Sequence, residues 1–226
     1  MKRGKKYLES LKKYEAATVY EVKAAMDLVK TLASSKFDET VDVSVKLNLK
    51  KSQSVRDTVV LPHQFRGEKR ILVFCKPEKE KEAQEAGATY IGADDLIEKI
   101  KGGWLDFDVA VATPDMMKDV GKLGMVLGRR GLMPNPKTGT VTFDLKGALS
   151  ELKKGRVEFR ADKTGVVHLA VGKVSMESDM LAENARAVVA EIRRKRPIDA
   201  KGEFVRTVSV SSTMGPGVWV NLKDEG

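Results

Sequence analysis

The sequence predicts an α/β protein: an α+β outer domain formed by both termini, with an inserted α/β domain that is Rossmann-like and three-layered. Alternating polar and apolar strands, each near one amphipathic helix, occur at both ends of the chain. Between them, short apolar strands alternate with helices, which is typical of a parallel sheet. The pattern changes near Gly67 and Gly155. We therefore expect residues 1–66 and 156–226 to form the outer domain and residues 67–155 the inserted one.

The N-terminal part is predicted to contain a basic arm, a helix and two strands. Six cations in residues 2–13 are interleaved with apolar and aromatic residues at helical spacing, which predicts an arm with a short helix; a frayed terminus is the alternative. Thr18 and Glu21 fit a capping box before an amphipathic helix. Residues 41–49 alternate as in a half-buried strand, and a second strand ends at Pro62.

Phe37 lies between the first amphipathic helix and the strand that follows it, outside the apolar face of either. It is either a lid on the core or an exposed group that stacks on a partner.

The middle of the chain is predicted to contain a buried parallel sheet. Residues 70–76 are expected to form a strand whose centre, Ile71–Cys75, is a continuous apolar run, as in a strand buried on both faces, and Cys75 is expected to be an inert thiol there. Lys137-Thr-Gly is faintly similar to a phosphate loop, but the glycine spacing of such loops is absent, so we do not expect nucleotide binding. The remaining expected strands are 89–91 and 108–112, and the expected helices are 77–86, 94–101 and 114–127.

The C-terminal part returns to alternating strands. Asp162–Gly165 is predicted to be a hairpin turn between two such strands. His168 falls on the polar face without a second metal ligand at suitable spacing, so we expect a surface histidine that forms hydrogen bonds. A helix after Ser178 ends in the cationic run Arg193–Arg196, which suits the helix dipole and is also a candidate phosphate-binding spot.

Two strands, 204–210 and 218–222, are expected to close the outer domain. Arg206 interrupts the inward alternation of the first, and the sequence gives no reason for it. Trp219 in the second is expected to be structural.

The stretch Thr207–Gly217 combines two features that suit a contact surface. Thr207, Ser209, Ser211 and Thr213 place hydroxyls on one face of a strand, and Met214-Gly-Pro-Gly follows. Glycines on both sides of a proline end the strand and allow a partner to approach the backbone closely. Met214 is either folded back into the core from a tight turn or offered to a ligand.

Charge and composition favour a polyanionic partner. The net charge is +9, and the expected outer domain holds 26 Lys and Arg against 18 Asp and Glu, a net charge of +8. One cysteine excludes an internal disulfide and suits a reducing cytoplasm. No signal peptide and no membrane-spanning apolar run is recognisable, so no membrane partner is expected. An enzyme is not expected, since the chain lacks a phosphate cradle, a nucleophile–base pair and a metal cluster. No helix-turn-helix or zinc module suggests DNA binding.

Six motifs occur in an order that resembles the bacterial-type L-one family of large-subunit ribosomal proteins. They are Lys36-Phe-Asp-Glu-Thr40, Leu61-Pro-His63, Ala112-Thr-Pro-Asp115, Gly131-Leu-Met-Pro-Asn-Pro-Lys137, Asp162-Lys-Thr-Gly165 with His168, and Thr213-Met-Gly-Pro216. The resemblance covers essentially the whole chain and implies the split two-domain arrangement.

The resemblance also implies what the protein binds. The expected partners are the side-stalk region of large-subunit rRNA, deacylated tRNA leaving the exit site, and the protein's own messenger, which it would repress through an rRNA-like leader. It implies a non-enzymatic monomer within the large ribosomal subunit, without a cofactor. An RNA-binding regulator that acts off the ribosome is the alternative, and it would use the same surface.

Carried over motif by motif, the resemblance predicts an rRNA-binding surface. Its expected members are Lys36, Phe37, Thr40, Asp162, Lys163, His168, Thr207, Thr213, Met214 and Gly215. Candidate phosphate contacts are Arg3, Lys5, Lys6 and Lys46.

The chain departs from the family pattern in two places. The Asn48–Val55 loop is shorter and is followed by Asp57 where glycine is usual, and Arg129 replaces a usual proline. The first change is expected to alter the contacts that this loop makes. The second is expected to alter a secondary contact of the inserted domain.

Overall fold

The computed structural model describes residues 4–50, 53–65, 67, 69–153, 155–198 and 202–221, and its α/β class is the one that the sequence predicts. The chain divides into two compact units: unit 1 is Met1–Phe65 with Val157–Gly226, and unit 2 is Arg66–Arg156. Because Arg66 and Arg156 fall in unit 2, unit 1 has a net charge of +6 and unit 2 of +3. The difference in net charge between the two units is therefore smaller than the difference calculated with the expected domain boundaries.

Helices and strands alternate along most of the chain. The helices are α1 Lys5–Leu11, α2 Val22–Leu32, α3 Glu80–Glu85, α4 Asp94–Lys101, α5 Met117–Val120, α6 Gly124–Arg130, α7 Leu145–Lys153 and α8 Ser178–Arg194. The strands are β1 Val19–Tyr20, β2 Thr40–Leu47, β3 Arg56–Val60, β4 Ile71–Phe74, β5 Tyr90–Gly92, β6 Val109–Ala112, β7 Arg156–Arg160, β8 Val166–Lys173, β9 Val205–Ser212 and β10 Val218–Val220. Within the described ranges, no helix is long and apolar enough to cross a membrane.

Unit 1 is built on a five-stranded sheet with the order β1-β10-β9-β2-β8. Strands β10, β9, β2 and β8 pair antiparallel with their neighbours, with β8 at one edge, and β1 at the other edge pairs in parallel with β10. Every second residue of β2 is buried, as the alternation predicts, and the apolar faces of α2 and α8 join these residues in one core. The opposite face of the sheet is lined mostly by exposed or half-buried polar side chains, with Val19 and Trp219 as exposed apolar exceptions. The fold therefore leaves one polar sheet face accessible.

A β-bulge explains Arg206. Lys46 lies opposite Thr207, but Leu47 lies opposite Val205, so Arg206 is an extra residue in β9. A bulge lets two neighbouring side chains point to the same side, and both Arg206 and Thr207 are exposed. The guanidinium of Arg206 donates a hydrogen bond to Asn48 Oδ1 at 2.8 Å.

The predicted capping box is wrong. Helix α2 begins at Val22 with Glu21 at its N-cap, and no side chain caps it. Val19 and Tyr20 instead pair with β10, so the backbone is extended where the box requires a helical turn. The Thr18 hydroxyl donates to the Glu15 carboxylate at 2.9 Å. A tertiary pairing thus overrides the local capping signal.

The predicted hairpin is correct at its turn and wrong in its arms. Gly165 N–H donates to the Asp162 carbonyl at 3.1 Å, and Gly165 has a φ of +78°. Next to the turn, Ala161, which follows β7, forms an isolated bridge with Val167 of β8. β8 pairs along its length with β2, whereas β7 pairs with β3 in a separate two-stranded sheet. The two arms therefore separate because each has a different partner strand.

Unit 2 contains a parallel three-stranded sheet with the order β5-β4-β6, as predicted. All four residues of β4 are buried, and so is Cys75 directly after it. Burial raises the pKa of the Cys75 thiol, which keeps it protonated and unreactive near neutral pH.

One helix predicted for unit 2 is broken into shorter pieces, and one helix of this unit was not predicted. The helix expected over 114–127 is broken into 3₁₀ turns and the short helices α5 and α6, with Gly121 and Gly124 at the breaks. Helix α7 was not predicted, although Leu145, Leu149 and Leu152 recur at helical spacing and are buried.

Asn184 fixes the segment after β3 to helix α8. The side chain is fully buried; its Oδ1 accepts from His63 N–H at 2.9 Å, and its Nδ2 donates to the carbonyls of His63 (2.8 Å) and Val171 (2.7 Å). Asn184→Ala would leave these groups without a partner, so we expect the free energy of unfolding to fall by about 2 kcal/mol. Urea denaturation measures this change.

Glu183→Ala is the matched control for Asn184→Ala. It removes an exposed carboxylate 2.6 Å from His63 Nε2, and we expect a change within about 0.5 kcal/mol. Equal losses in both variants would contradict the role given to Asn184.

Candidate nucleic-acid interface

The structure brings Lys36–Thr40 and Thr213–Gly215 together at one corner of the unit 1 sheet. Thr40 N–H donates to Thr213 Oγ1 at 3.0 Å, and the Thr213 hydroxyl lies 3.3 Å from the Thr40 carbonyl oxygen. Two segments more than 170 residues apart in the chain are thereby joined. We call this region the corner: residues 34–40 with residues 212–217.

Glu39 is the buried residue that organises the corner. Its side chain is 1% exposed, and its carboxylate accepts hydrogen bonds from the backbone N–H groups of Ser34 (3.1 Å), Ser35 (2.9 Å) and Met214 (3.0 Å). Burial acts to raise the pKa of Glu39, but the hydrogen bonds to its carboxylate, first among them that from the Met214 amide, together outweigh it, and the pKa is lowered. Glu39 is therefore ionised near neutral pH and holds both halves of the corner.

Sequence reasoning missed Glu39, although a signal was present. The period of two that buries Val41, Val43 and Val45 also places Glu39 on the core face. A carboxylate at a buried position of a strand needs several hydrogen-bond donors. This requirement could have identified Glu39 as a residue that holds neighbouring backbone segments.

Phe37 and Met214 both project outward from the corner. Phe37 is 56% exposed and Met214 is 60% exposed. Phe37 is therefore not a lid on the core, and Met214 is not folded back into it. The chain bends at Lys36 and Phe37, which takes Phe37 out of the buried phase that resumes at Glu39. Two apolar side chains are thus presented beside the exposed Lys36.

Gly215 is required by the shape of the turn after β9. Its N–H donates to the Ser212 carbonyl at 3.2 Å, and a Cβ at this position would collide with the Ser212 hydroxyl. The backbone next to Met214 therefore stays bare, which allows a partner to approach closely.

Lys173, at the end of β8, contacts the corner and is a second residue that sequence reasoning missed. Its ammonium donates to Thr40 Oγ1 at 3.0 Å and to the Asp38 carbonyl at 3.3 Å. The Thr40 hydroxyl thus accepts from Lys173 and keeps its own proton for another acceptor. Nothing in the spacing of Lys173 along β8 distinguishes it from a surface lysine.

The middle of the open sheet face carries the predicted hydroxyls and the histidine. Ser44 lies opposite both His168 and Ser209, and its hydroxyl is 2.9 Å from His168 Nδ1. Thr207 lies opposite Lys46 toward the far end of the strands. His168 and Thr207 are exposed, so this part of the face can form hydrogen bonds with a ligand.

Asp162 and Lys46 shape the turn at the far end of the face. The Asp162 carboxylate accepts from the backbone N–H groups of Val166 and Thr164, both at 2.8 Å. The Val166 amide is the main cause of its lowered pKa. Lys46 Nζ donates to the Thr164 carbonyl at 2.5 Å. Both side chains thus hold the turn, while Lys163 is exposed at its tip.

The basic arm is anchored close to the corner. Lys5 and Lys6 are exposed on α1, whereas Arg3 lies outside the described residues. Ser10 Oγ donates to the Leu32 carbonyl at 3.4 Å, and the Tyr14 hydroxyl donates to the Gly217 carbonyl at 3.0 Å. These contacts place the arm next to the Met-Gly-Pro-Gly turn.

The cationic run at the end of α8 is largely engaged within the chain. Arg194 pairs with Glu191 at 3.2 Å, Lys195 pairs with Asp57 at 2.6 Å, and an Arg196 guanidinium nitrogen donates to the Gly202 carbonyl at 3.0 Å. Asp57, where the resemblance leads one to expect glycine, thus has an ion-pair partner. The run is a weaker phosphate-binding candidate than the corner.

Among the described residues, no group of three or more His, Cys, Asp or Glu side chains could hold a metal ion.

Comparison with known proteins points to one family. The sequence model of the "Ribosomal protein L1p/L10e family" matches residues 28–216. A Treponema denticola protein named large ribosomal subunit protein uL1 is 67% identical over 223 residues, which cover 99% of each chain. Proteins of the same name are 61% identical over 225 residues in Treponema pallidum, covering 100% of each chain, and 56% identical over 221 residues in Borreliella burgdorferi, covering 98% of each.

Proposed function

Because this chain belongs to the ribosomal protein L1p/L10e family, we propose that it is a component of the large ribosomal subunit that binds rRNA through the corner and the adjoining open sheet face. One observation carries the proposal. The corner presents Phe37 and Met214 to solvent beside Lys36, while the buried Glu39 fixes the backbone that holds them. Exposed apolar side chains on a rigid, cation-bordered backbone are suited to a folded polyanion.

The side chains of the corner, the open sheet face and the basic arm have different roles in RNA recognition. Lys36, Lys163 and the basic arm neutralise phosphates, which supplies affinity without sequence preference. The hydroxyls of Thr40, Thr207 and Thr213 bond ribose 2′-OH groups, which DNA lacks.

Met214 and Phe37 supply the apolar part of the contact. Met214, next to the bare backbone of Gly215, presses against a sugar or a base, and Phe37 stacks on or supports that surface. Specificity then comes from the fit to a folded RNA loop and not from reading a series of bases. Asp162, Lys46 and Lys173 act by holding the surface in shape.

We extend the proposal to the side-stalk region of the rRNA and to two further ligands. An rRNA-like leader in the protein's own messenger would fit the same surface and would allow repression of its translation. Deacylated tRNA leaving the exit site is the third ligand. Competition between a stalk rRNA fragment and the messenger leader tests the shared surface, since each RNA should displace the other.

A salt titration tests whether the corner binds rRNA. If about five phosphates are neutralised, the logarithm of the association constant for a stalk rRNA fragment should fall with log[salt] with a slope of roughly −3.5 to −4.5. Lys36→Ala should make the slope shallower by about 0.7–0.9, because one phosphate contact is lost. Filter binding over a series of KCl concentrations measures both slopes.

Lys23→Ala is the matched control, since it removes the same type of side chain from α2, where Lys23 pairs with Asp179 at 2.7 Å. It should leave the slope unchanged. An equal change in both variants would mean that the charge of unit 1 as a whole, and not the corner, sets the affinity.

A further inference from the structure

Trp219 and Val19 form an exposed apolar pair on the open face of the unit 1 sheet. Trp219 in β10 lies opposite Val19 in β1, and the two side chains are 41% and 59% exposed. Trp219 was expected to be structural; it lies on the exposed face of β10, because its neighbours Val218 and Val220 take the core-facing positions. We call this pair the ledge.

The ledge continues a row of side chains that crosses the sheet. Trp219 lies opposite Ser209, Ser209 opposite Ser44, and Ser44 opposite His168. Strands lie about 4.8 Å apart, so roughly 14 Å separates the Trp219 and His168 backbones. Thr207 shares this face of β9 with Ser209, and the exposed Thr213 directly follows the strand, so the ledge is continuous with the surface proposed to bind rRNA.

The chemistry of the row suits a nucleotide better than a protein side chain. An exposed indole offers a flat π face on which a base of any type can stack. The neighbouring hydroxyls and the imidazole can bond a ribose or a phosphate. The apolar area of the ledge consists of two side chains, which is small for a protein–protein contact. The unit that carries it has a net charge of +6, which is also unfavourable for such a contact.

We propose that the ledge holds an unpaired base of the bound RNA, stacked on Trp219, so that the interface extends from the corner across the sheet to β1. This inference rests on the proposed rRNA-binding function. It adds a stacking site at the opposite edge of the face from His168, which no motif of the sequence indicated.

Filter binding with a stalk rRNA fragment tests the ledge. Trp219→Ala should weaken binding by roughly tenfold, and Trp219→Phe, which keeps an aromatic face, should stay within about threefold. Phe143→Ala, which removes an aromatic side chain of similar exposure in unit 2, should leave the affinity unchanged. Thermal unfolding of each variant checks that unit 1 remains folded.

Fluorescence provides a second readout that does not depend on folding of an alanine variant. The chain has two tryptophans, so Trp104→Phe leaves Trp219 as the single reporter. If a base stacks on Trp219, the RNA fragment should quench the fluorescence of Trp219 and protect the indole from quenching by acrylamide. Unchanged emission at saturating RNA would overturn the inference.

The outcomes separate the ledge from the function on which it rests. If Met214→Asp weakens binding but Trp219→Ala does not, the ledge is wrong and the corner stands. If the wild-type chain does not bind the fragment, both fail. If Trp219 is protected without RNA as the protein concentration rises, a second copy of the chain covers the ledge, and the inference is wrong.

Discussion

Met214→Asp is expected to weaken binding to a stalk rRNA fragment by about 30-fold or more, or ~2 kcal/mol, without unfolding the protein. The variant places a carboxylate where the proposed complex excludes water and where phosphates lie close by. The fold should persist because the Met214 side chain is 60% exposed, and the contact with Glu39 uses the backbone N–H, which aspartate retains. Filter binding measures the affinity, and circular dichroism measures the fold.

Met180→Asp is the matched control for Met214→Asp. Met180 is a 36% exposed methionine on α8, outside the corner and the open sheet face. We expect the affinity of Met180→Asp for the stalk rRNA fragment to stay within about threefold of the wild-type value, because a single distant charge has a small effect at physiological salt. Wild-type affinity for Met214→Asp would remove the central residue from the proposed interface.

Glu39→Ala is expected to lower the free energy of unfolding by about 3 kcal/mol or more and to weaken RNA binding in the same variant. The substitution leaves three backbone N–H groups, those of Ser34, Ser35 and Met214, without an acceptor next to a buried cavity. Hydrogen exchange of these three amides should accelerate, since they lose their partner. Urea denaturation gives the stability change.

Asp38→Ala controls for the loss of a carboxylate from the same segment. Asp38 is exposed and accepts hydrogen bonds from the Ser175 N–H (3.1 Å) and hydroxyl (2.9 Å). Its replacement should cost less than half as much stability. If Asp38→Ala and Glu39→Ala are equally destabilised, the corner does not depend on the buried carboxylate.

The stability that Glu39 contributes should depend on pH in one direction. Its pKa is lowered in the folded protein relative to the usual value of 4.5. A carboxyl of this kind stabilises the fold fully above the unfolded-state pKa, and the contribution is lost as the pH falls through the folded-state pKa. The difference in stability between wild type and Glu39→Ala should therefore be constant from pH 6 to 8 and shrink below about 4.5. A constant difference down to pH 3 would contradict this assignment.

The elements with a strong period were predictable from the sequence. The alternation in β2 and the apolar spacing of α2 and α8 identified both the elements and their buried faces, because burial in these elements follows directly from the period. The parallel sheet of unit 2 followed from its buried strands and short connections.

The errors lie where tertiary contacts compete with local signals. Pairing with β10 extends the backbone at Val19 and Tyr20 and removes the capping box. The separate partner strands of β7 and β8 open the predicted hairpin. Arg206 required the register between β2 and β9, which no single segment contains.

The candidate site was predictable in its exposed members and not in its supports. Motif resemblance supplied Lys36, Phe37 and Met214; for Phe37 and Met214 the sequence left open whether the side chain is exposed. Glu39 and Lys173 act through contacts with residues distant in the chain, so their roles became visible only once the strands were brought together.

Directed hydroxyl-radical cleavage tests most directly whether the corner is the RNA-binding surface. With Cys75 replaced by alanine, single cysteines are introduced by Lys36→Cys in the corner and by Met180→Cys on α8, and each carries a tethered iron chelate. In complex with a stalk rRNA fragment, the probe at position 36 should cut a short, defined stretch of the RNA, and the probe at position 180 should cut weakly or not at all. Strong cutting from position 180, with none from position 36, would contradict the account.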